Sequence, residues 1–262
     1  MAGEEVFCRS VGNEVRDEEE WQLQCSKIME RVRAMVVEED GEVRDGVIRI
    51  GGLDISFFKD SQRAVAAVVV CECPDMRVVY SDFEEVIISE PYVPGYLALR
   101  ECQPLMGLVR KLKKQAPGVY PDYILVDGNG RLHPAEAGLA CHVGVELDMP
   151  VVGVAKNLLC LDGLSKDGVL QGLAALRAQN GSGAKNHDLI LPLTGDSGKS
   201  WGCAVCTRGS SRPLFVSIGH KVTLDTAVNI VRQCCLYRIP EPVRQADLMS
   251  REHIRRVQAR LL

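Results

Sequence analysis

Three acidic residues stand where side-chain carboxylates can converge on a divalent cation. Asp54 lies inside the apolar run Val47-Ile-Arg-Ile-Gly-Gly-Leu-Asp-Ile-Ser-Phe-Phe58. Asp127 ends Tyr123-Ile-Leu-Val-Asp127 and is followed by Gly128-Asn129-Gly130. Between them, Glu101 falls in Tyr96-Leu-Ala-Leu-Arg-Glu101. A carboxylate in such a run is costly to bury unless a cation or a proton compensates it. Meeting that cost three times points to a metal centre. Phosphodiester hydrolysis is the chemistry that such a centre suits: water must be activated, negative charge neutralised and the leaving oxygen stabilised. Mg²⁺ held by hard oxygen ligands with open positions does all three. Strand alternation puts Asp54 and Ser56 on one face and Leu53, Ile55 and Phe57 on the other.

The elements that must position these groups follow from periodicity. Residues 1–16 read as a flexible N-terminus and 17–262 as one domain. Trp21, Cys25, Ile28, Val32 and Met35 recur at helical steps and predict a helix from Asp17 to about Glu39. Strands are expected over Val47–Lys59, Ala64–Cys73 and Val78–Ile88, with Pro74-Asp75 turning the second into the third. Gaps this short require an antiparallel meander. A helix striped with Cys102, Leu105, Val109 and Leu112 comes next. Pro104 is expected in its first turn, which leaves Glu101 at or just before its start. Asp122–Asp127 reads as a strand, Pro134–Leu147 as a helix and Val151–Ala155 as a strand. Residues 161–187, rich in Gly, Ser and Asn, read as a surface insertion. Trp201–Thr207 and Leu214–Ile218 are expected strands, and Thr223–Tyr237 and Pro242–Leu262 closing helices. The order gives an α/β, ribonuclease H-like mixed sheet: three antiparallel strands, then parallel ones, with helices on both faces.

Composition bounds the partners. The chain has 262 residues, 46% of them hydrophobic, and a formal net charge of −4. That balance argues against a protein that coats nucleic acid without selection. It hides a gradient: acids exceed bases over residues 1–50, and bases exceed acids over 208–262. The basic end can track phosphates or simply be a solvated helix surface. The 11 cysteines sit mostly in apolar runs and read as buried free thiols, Cys203 and Cys206 included. With no signal-peptide layout and no apolar run of membrane-spanning length, a cytoplasmic or nuclear protein (the nucleolus included), without membrane association, is expected.

Two further segments carry possible chemistry. Pro91-Tyr92-Val93-Pro94 fixes Tyr92 as a rigid plate, which can wedge into a base stack or pack in a core. His220, after the apolar run Leu214–Ile218, can serve as acid, base or phosphate ligand, or hold a structural position. Gly195-Asp-Ser-Gly-Lys-Ser200 ends like a phosphate-binding loop, but Leu193 stands where the pattern needs glycine and a strand follows. Gly128 and Gly130 lack the third glycine of a dinucleotide fingerprint.

Taken in order, the strings Gly51–Phe57, Pro91–Glu101, Leu125–Pro134, Gly153–Lys156 and Ser217–His220 resemble the endonuclease V family over residues 18–257. Arg238–Asp247 resembles its animal branch. The resemblance implies a ribonuclease H-like fold and cleavage, dependent on Mg²⁺ or Mn²⁺, of the second phosphodiester 3′ to inosine. Animal-type members imply a preference for inosine-containing RNA, single- or double-stranded, with deoxyinosine DNA a weaker substrate. The protein would act as a monomer.

Carried onto this chain, the resemblance makes Asp54 and Asp127 the metal-binding aspartates. Glu101 and His220 become further active-site groups, Tyr92 the wedge, and Lys156 a lysine near the scissile phosphate. Gly95, Leu97, Gly128, Gly130, Gly138, Leu139 and Leu159 would line the inosine pocket. Asp247 matches an acidic position and stands as a further carboxylate, and His133 matches a strand-to-helix position of open role. One departure is visible: Ala135-Glu136 stands where the family has a basic residue. The competing expectations are another ribonuclease H-like, structure-specific metal nuclease and a non-catalytic binder of modified nucleic acid.

Overall fold

The protein is described by a computed structural model covering residues 18–42, 46–89, 93, 95–179, 188–207 and 210–260. Its frame is an eight-stranded mixed sheet in the order β3-β2-β1-β4-β5-β8-β7-β6. β1 (Arg49–Phe57), β2 (Arg63–Glu72) and β3 (Arg77–Ile87) form the expected antiparallel meander. β2 is apolar and buried along nearly its whole length, as a strand covered on both faces must be, whereas β3 is the exposed edge. β4 (Tyr123–Asp127) and β5 (Val151–Ala155) run parallel to β1. Beyond them β6 (Leu189–Thr194), β7 (Ser200–Cys206) and β8 (Leu214–His220) turn the sheet antiparallel again.

Helices cover both faces. α2 (Leu97–Gln115) and α3 (Leu139–Leu147) pack on the face that carries Leu53, Val68, Ile124 and Val126. α5 (Leu224–Cys234) and α6 (Glu241–Ala259) pack on the face that carries Ile50, Ala67, Val69 and Leu125. α1 (Glu18–Met35) lies outside α3, joined through Met29, Val32, Cys141 and Val145. Cys203 and Cys206 fall in separate buried clusters and do not form a pair. No helix among the described residues is long and apolar enough to cross a membrane.

Four expectations need correction. α1 stops at Met35 because the chain after it pairs with the end of β8: Lys221 donates to Val37 and Gly41 donates to Lys221. α2 starts at Leu97 and runs through Pro104 without a break, so Glu101 lies inside its second turn. Proline offers no N–H to the Arg100 carbonyl, but Ala98, Leu99, Cys102, Leu105 and Met106 bury a continuous stripe on either side of it. α3 begins five residues late. Residues 131–138 are taken up by tight turns, and Glu136 adopts φ +54°. Finally, residues 161–187 are not merely an insertion. They contain α4 (Lys166–Gln179), which buries Val169 and Leu173 against β6, a strand that the apolar pattern did not reveal. The Gly195–Ser200 segment is the turn from β6 to β7, as its lack of a following helix implied.

A candidate metal centre at the carboxyl ends of the parallel strands

Asp54 and Asp127 extend the register that pairs Leu53 with Val126, so two carboxylates stand side by side on neighbouring parallel strands. The third comes from the far end of the chain. Gly52 shares a face with Asp54, and the first turn of α6 rests directly on it. A Cβ at position 52 would lie 2.1 Å from the Pro242 carbonyl carbon. Only glycine admits so close an approach. From that anchor α6 carries Asp247 over the strands, and one carboxylate oxygen each from Asp54, Asp127 and Asp247 lies within 4.8 Å of the others.

The cluster holds more negative charge than its neighbours neutralise. Lys156, just past β5, places its ammonium 2.5 Å from Asp127 Oδ2 and 3.7 Å from Asp247 Oδ1. Arg251 donates to Asp247 Oδ1 at 2.8 Å from the solvent side. Asp54 is only 6% exposed. Burial, and then the charges of Asp127 and Asp247, push its carboxyl up to about 7, against a bond from Ser250 and the charge of Lys156. Burial works to lower the Lys156 ammonium, but the three aspartates outweigh it and hold its pKa above the usual value. Glu101 adjoins the cluster from α2. Burial and the charge of Asp127 raise it to about 7, against the opposing effect of Arg100. Three hard oxygen donors, the most buried of them raised by burial and by the charges of the other two, fit a divalent cation.

Two serines hold Asp54. Ser250 donates to its Oδ2 at 3.0 Å and Ser56 to the same atom at 3.3 Å, with 2.9 Å between the hydroxyls. Ser56 was legible as a neighbour on the Asp54 face. Ser250 and Arg251 were missed. The signal was their spacing of three and four from Asp247 on an expected helix, which places all three on one side.

His220 is not brought to this centre. β8 runs antiparallel to β5 and pairs His220 with Val151, at the start of β5, whereas Asp127 pairs with Val154. A residue ending β8 therefore sits toward the opposite end of the sheet, where parallel strands would have delivered it to the carboxylates. Its Nδ1 accepts from the Val37 N–H at 3.2 Å, and its Nε2 lies 3.6 Å from Asp148 Oδ1.

The other expected residues are dispersed. Pro91, Tyr92 and Pro94 lie outside the described residues; Val93, half-buried, accepts from the Tyr96 N–H. Gly95 adopts φ +89° and, with His133, borders a hollow of about 480 Å³ against α1. Leu97 is partly exposed, Leu139 is buried beside Gly128, and Leu159 is half-buried. Gly130 and Gly138 meet protein backbone. A Cβ on them would fall 2.0 Å from Ile218 O and 2.3 Å from Asn129 O, so their small size is needed by the fold itself. Glu136, in the expected basic position, gathers Arg33, Arg131 and Lys199 around its carboxylate.

Residues 30–248 match the family model described as Endonuclease V. This chain belongs to the endonuclease V family. Human endonuclease V is 46% identical over 234 residues, which span 86% of this chain and 80% of the human one. The mouse protein is 43% identical over 88% of this chain and 69% of its own. A crystal structure of human endonuclease V matches with a TM-score of 0.81 at 41% identity, covering 90% of this chain and 99% of that one. Ciona intestinalis endonuclease V, solved with a 23mer DNA containing an inosine followed by a ribo-adenosine, matches with a TM-score of 0.84 at 32% identity over 92% of this chain and 100% of that one. The mixed sheet is thus that of endonuclease V, and the acid cluster belongs to a nuclease fold.

Proposed function

We propose that this protein is a divalent-metal-dependent endonuclease of inosine-containing nucleic acid. RNA is its preferred substrate, deoxyinosine DNA a weaker one, and the cut falls at the second phosphodiester 3′ to inosine. The observation that carries the proposal is the meeting of Asp54, Asp127 and Asp247 around a space that Lys156 and Arg251 do not fully neutralise. Those three residues would hold the ion. All-oxygen donors suit Mg²⁺, with Mn²⁺ able to substitute. Such an ion supplies Lewis-acid polarisation of the phosphoryl oxygens and an acidified water.

The protein's own groups supply the remainder. Ser56 and Ser250 fix the Asp54 carboxylate. Glu101, raised to about 7, is poised to take a proton from an attacking water in the neutral range. Lys156, now on Asp127, would donate to the scissile phosphate beside the cluster. Tyr92 would fill the gap left by an everted base, and backbone groups around Gly128 and Leu139 would read the purine edge. Inosine lacks the 2-amino group of guanine, so a tight wall at that position excludes guanine, and donors facing the 6-oxo group disfavour adenine. Its weaker pairing makes eversion cheaper. The inosine complex of the Ciona relative supports this reading.

The test is cleavage of matched RNA and DNA strands carrying inosine, guanosine or adenosine at one position, with Mg²⁺ titrated from zero. The expected result is a single product, two phosphodiesters 3′ of inosine, formed faster in RNA and only with metal. Equal cutting of all three bases, or cutting undiminished in a chelator, overturns the proposal.

A further inference from the structure

The turn that follows Asp127 folds back over β5 and reaches β8. Gly153, in the middle of β5, lets it lie there: a Cβ at that position would fall 2.5 Å from Gly130 N and 2.9 Å from Gly128 O. Ser217, the β8 residue that pairs with Gly153, therefore meets the turn directly. It is fully buried, and its hydroxyl accepts from the Gly130 N–H at 2.9 Å.

The rest of the turn is held by backbone. Gly128 donates to the Val154 carbonyl at 3.3 Å and Arg131 to that of Ile218 at 2.7 Å. From the α3 side, Ala140 donates to the Asn129 carbonyl at 3.1 Å and Gly138 to that of Gly130 at 3.0 Å. Of these bonds, only the one to Ser217 ends on a side chain. A buried N–H left without its acceptor is costly, and the turn recovers that cost only by moving. Gly128 has room to answer. Outside its chain neighbours, a Cβ there would come no nearer than 3.6 Å to another atom, and that atom is in the Leu139 side chain. This is the side of the turn assigned above to the purine edge. Asp127 is fixed independently, by its pairing with Val154 and by Lys156. A slackened turn thus displaces the wall of the base site and leaves the acid cluster in place.

We infer that Ser217 is a positioning residue for base choice: by holding Gly130, its hydroxyl sets where the Gly128 edge of the purine site stands. The inference rests on the nuclease reading above and deepens it. Guanine differs from the inosine base by one amino group, so a small displacement of the wall is enough to admit it. A rigid support behind the groups that touch the ligand is what such discrimination requires.

Threonine and valine share one shape, differ in the hydroxyl and both suit a strand. The experiment compares Ser217→Thr with Ser217→Val in single-turnover cleavage of matched RNA strands carrying inosine or guanosine, with Mg²⁺. Ser217→Val is expected to lower the inosine-to-guanosine rate ratio about tenfold, with the Mg²⁺ concentration for half-maximal cleavage unmoved. Ser217→Thr retains the ratio. Hydrogen exchange at the Gly130 amide should divide the same way, faster in Ser217→Val only. A bond that merely stabilises the fold would slow cleavage of both strands in proportion to the folded fraction and leave the ratio as it was. The same ratio in both variants, whether kept or lost, overturns the inference and leaves the nuclease reading standing. No inosine preference in the unaltered protein overturns that reading and the inference with it, so the two failures are told apart by the protein that shows them.

Discussion

The Lys156 ammonium bridges Asp127, at 2.5 Å, and Asp247, at 3.7 Å, so one side chain ties together two of the three clustered aspartates. A lysine and a divalent ion cannot both serve those oxygens fully. Lys156→Ala is therefore expected to separate binding from chemistry. The rise in Tm produced by Mg²⁺ should persist or grow, while kcat falls about 10²-fold, the scale of losing one charged donor to a phosphoryl group. Loss of the Mg²⁺ response together with activity would instead make Lys156 a structural tie.

Asp54 and Glu101 give the protein a defined pH response. Their unfolded-state values lie near 3.8 and 4.5, and in the fold both are raised to about 7. The fold thus favours their protonated forms. The stability they contribute is complete below about pH 4 and is lost as the pH rises through about 7. In EDTA, these two groups should lower Tm between about pH 5 and pH 7.5. Added Mg²⁺ needs the carboxylates, so its stabilising effect should grow across the same window as protons are released. Melting curves at stepped pH check both halves. Asp54→Asn should flatten the first, and a slope unaltered by that substitution would contradict the assignment.

Ser250→Ala removes a donor to the buried Asp54 carboxylate. The expected cost is about 1–3 kcal/mol of stability in Mg²⁺, from the hydrogen bond to a charged group. The Mg²⁺ concentration for half-maximal cleavage should rise several-fold, with most of kcat recovered at saturation. A fall in kcat with unchanged metal dependence would place Ser250 in the chemistry rather than in holding Asp54.

Gly52→Ala forces a methyl group onto the Pro242 backbone. Overpacking of this kind costs about 1–3 kcal/mol, and relief requires α6 to lift, which takes Asp247 away from Asp54 and Asp127. Cleavage should fall by more than denaturant melts alone explain. Gly51→Ala is the comparison: its Cβ would meet side-chain atoms of Ile124 and Pro121 at 3.3 Å, so its effect should be smaller. Equal effects of the two would remove the special role given to this contact.

Asp54 and Asp127 were legible in the sequence because strand periodicity and the parallel β1–β4 pairing are local consequences of apolar runs. Asp247 was not legible from its own surroundings. Its helix reads as an ordinary amphipathic one, and only the resemblance to endonuclease V flagged the position. What brings it to the site is a backbone contact at Gly52, which no pattern of apolar residues encodes. His220 was assigned to the site by the resemblance alone. The apolar strand before it looks the same whether it runs with its neighbours or against them, and β8 runs against β5. β6 was hidden because Leu189–Thr194 is half exposed and contains proline. Glu101 was put at or just before the start of α2 by a local rule about Pro104 that the buried stripe on either side overrode.

The docking of α6 on β1 draws the acid cluster from both ends of the sequence. Two of its carboxylates belong to the sheet, and the third is carried by a helix that rests on a strand some two hundred residues away. A chain interrupted before Asp247 could still form β1 and β4, yet it would lack the group that closes the ring of oxygens. On the proposed chemistry, a polypeptide that stops short of Asp247 keeps the sheet and loses the power to cut.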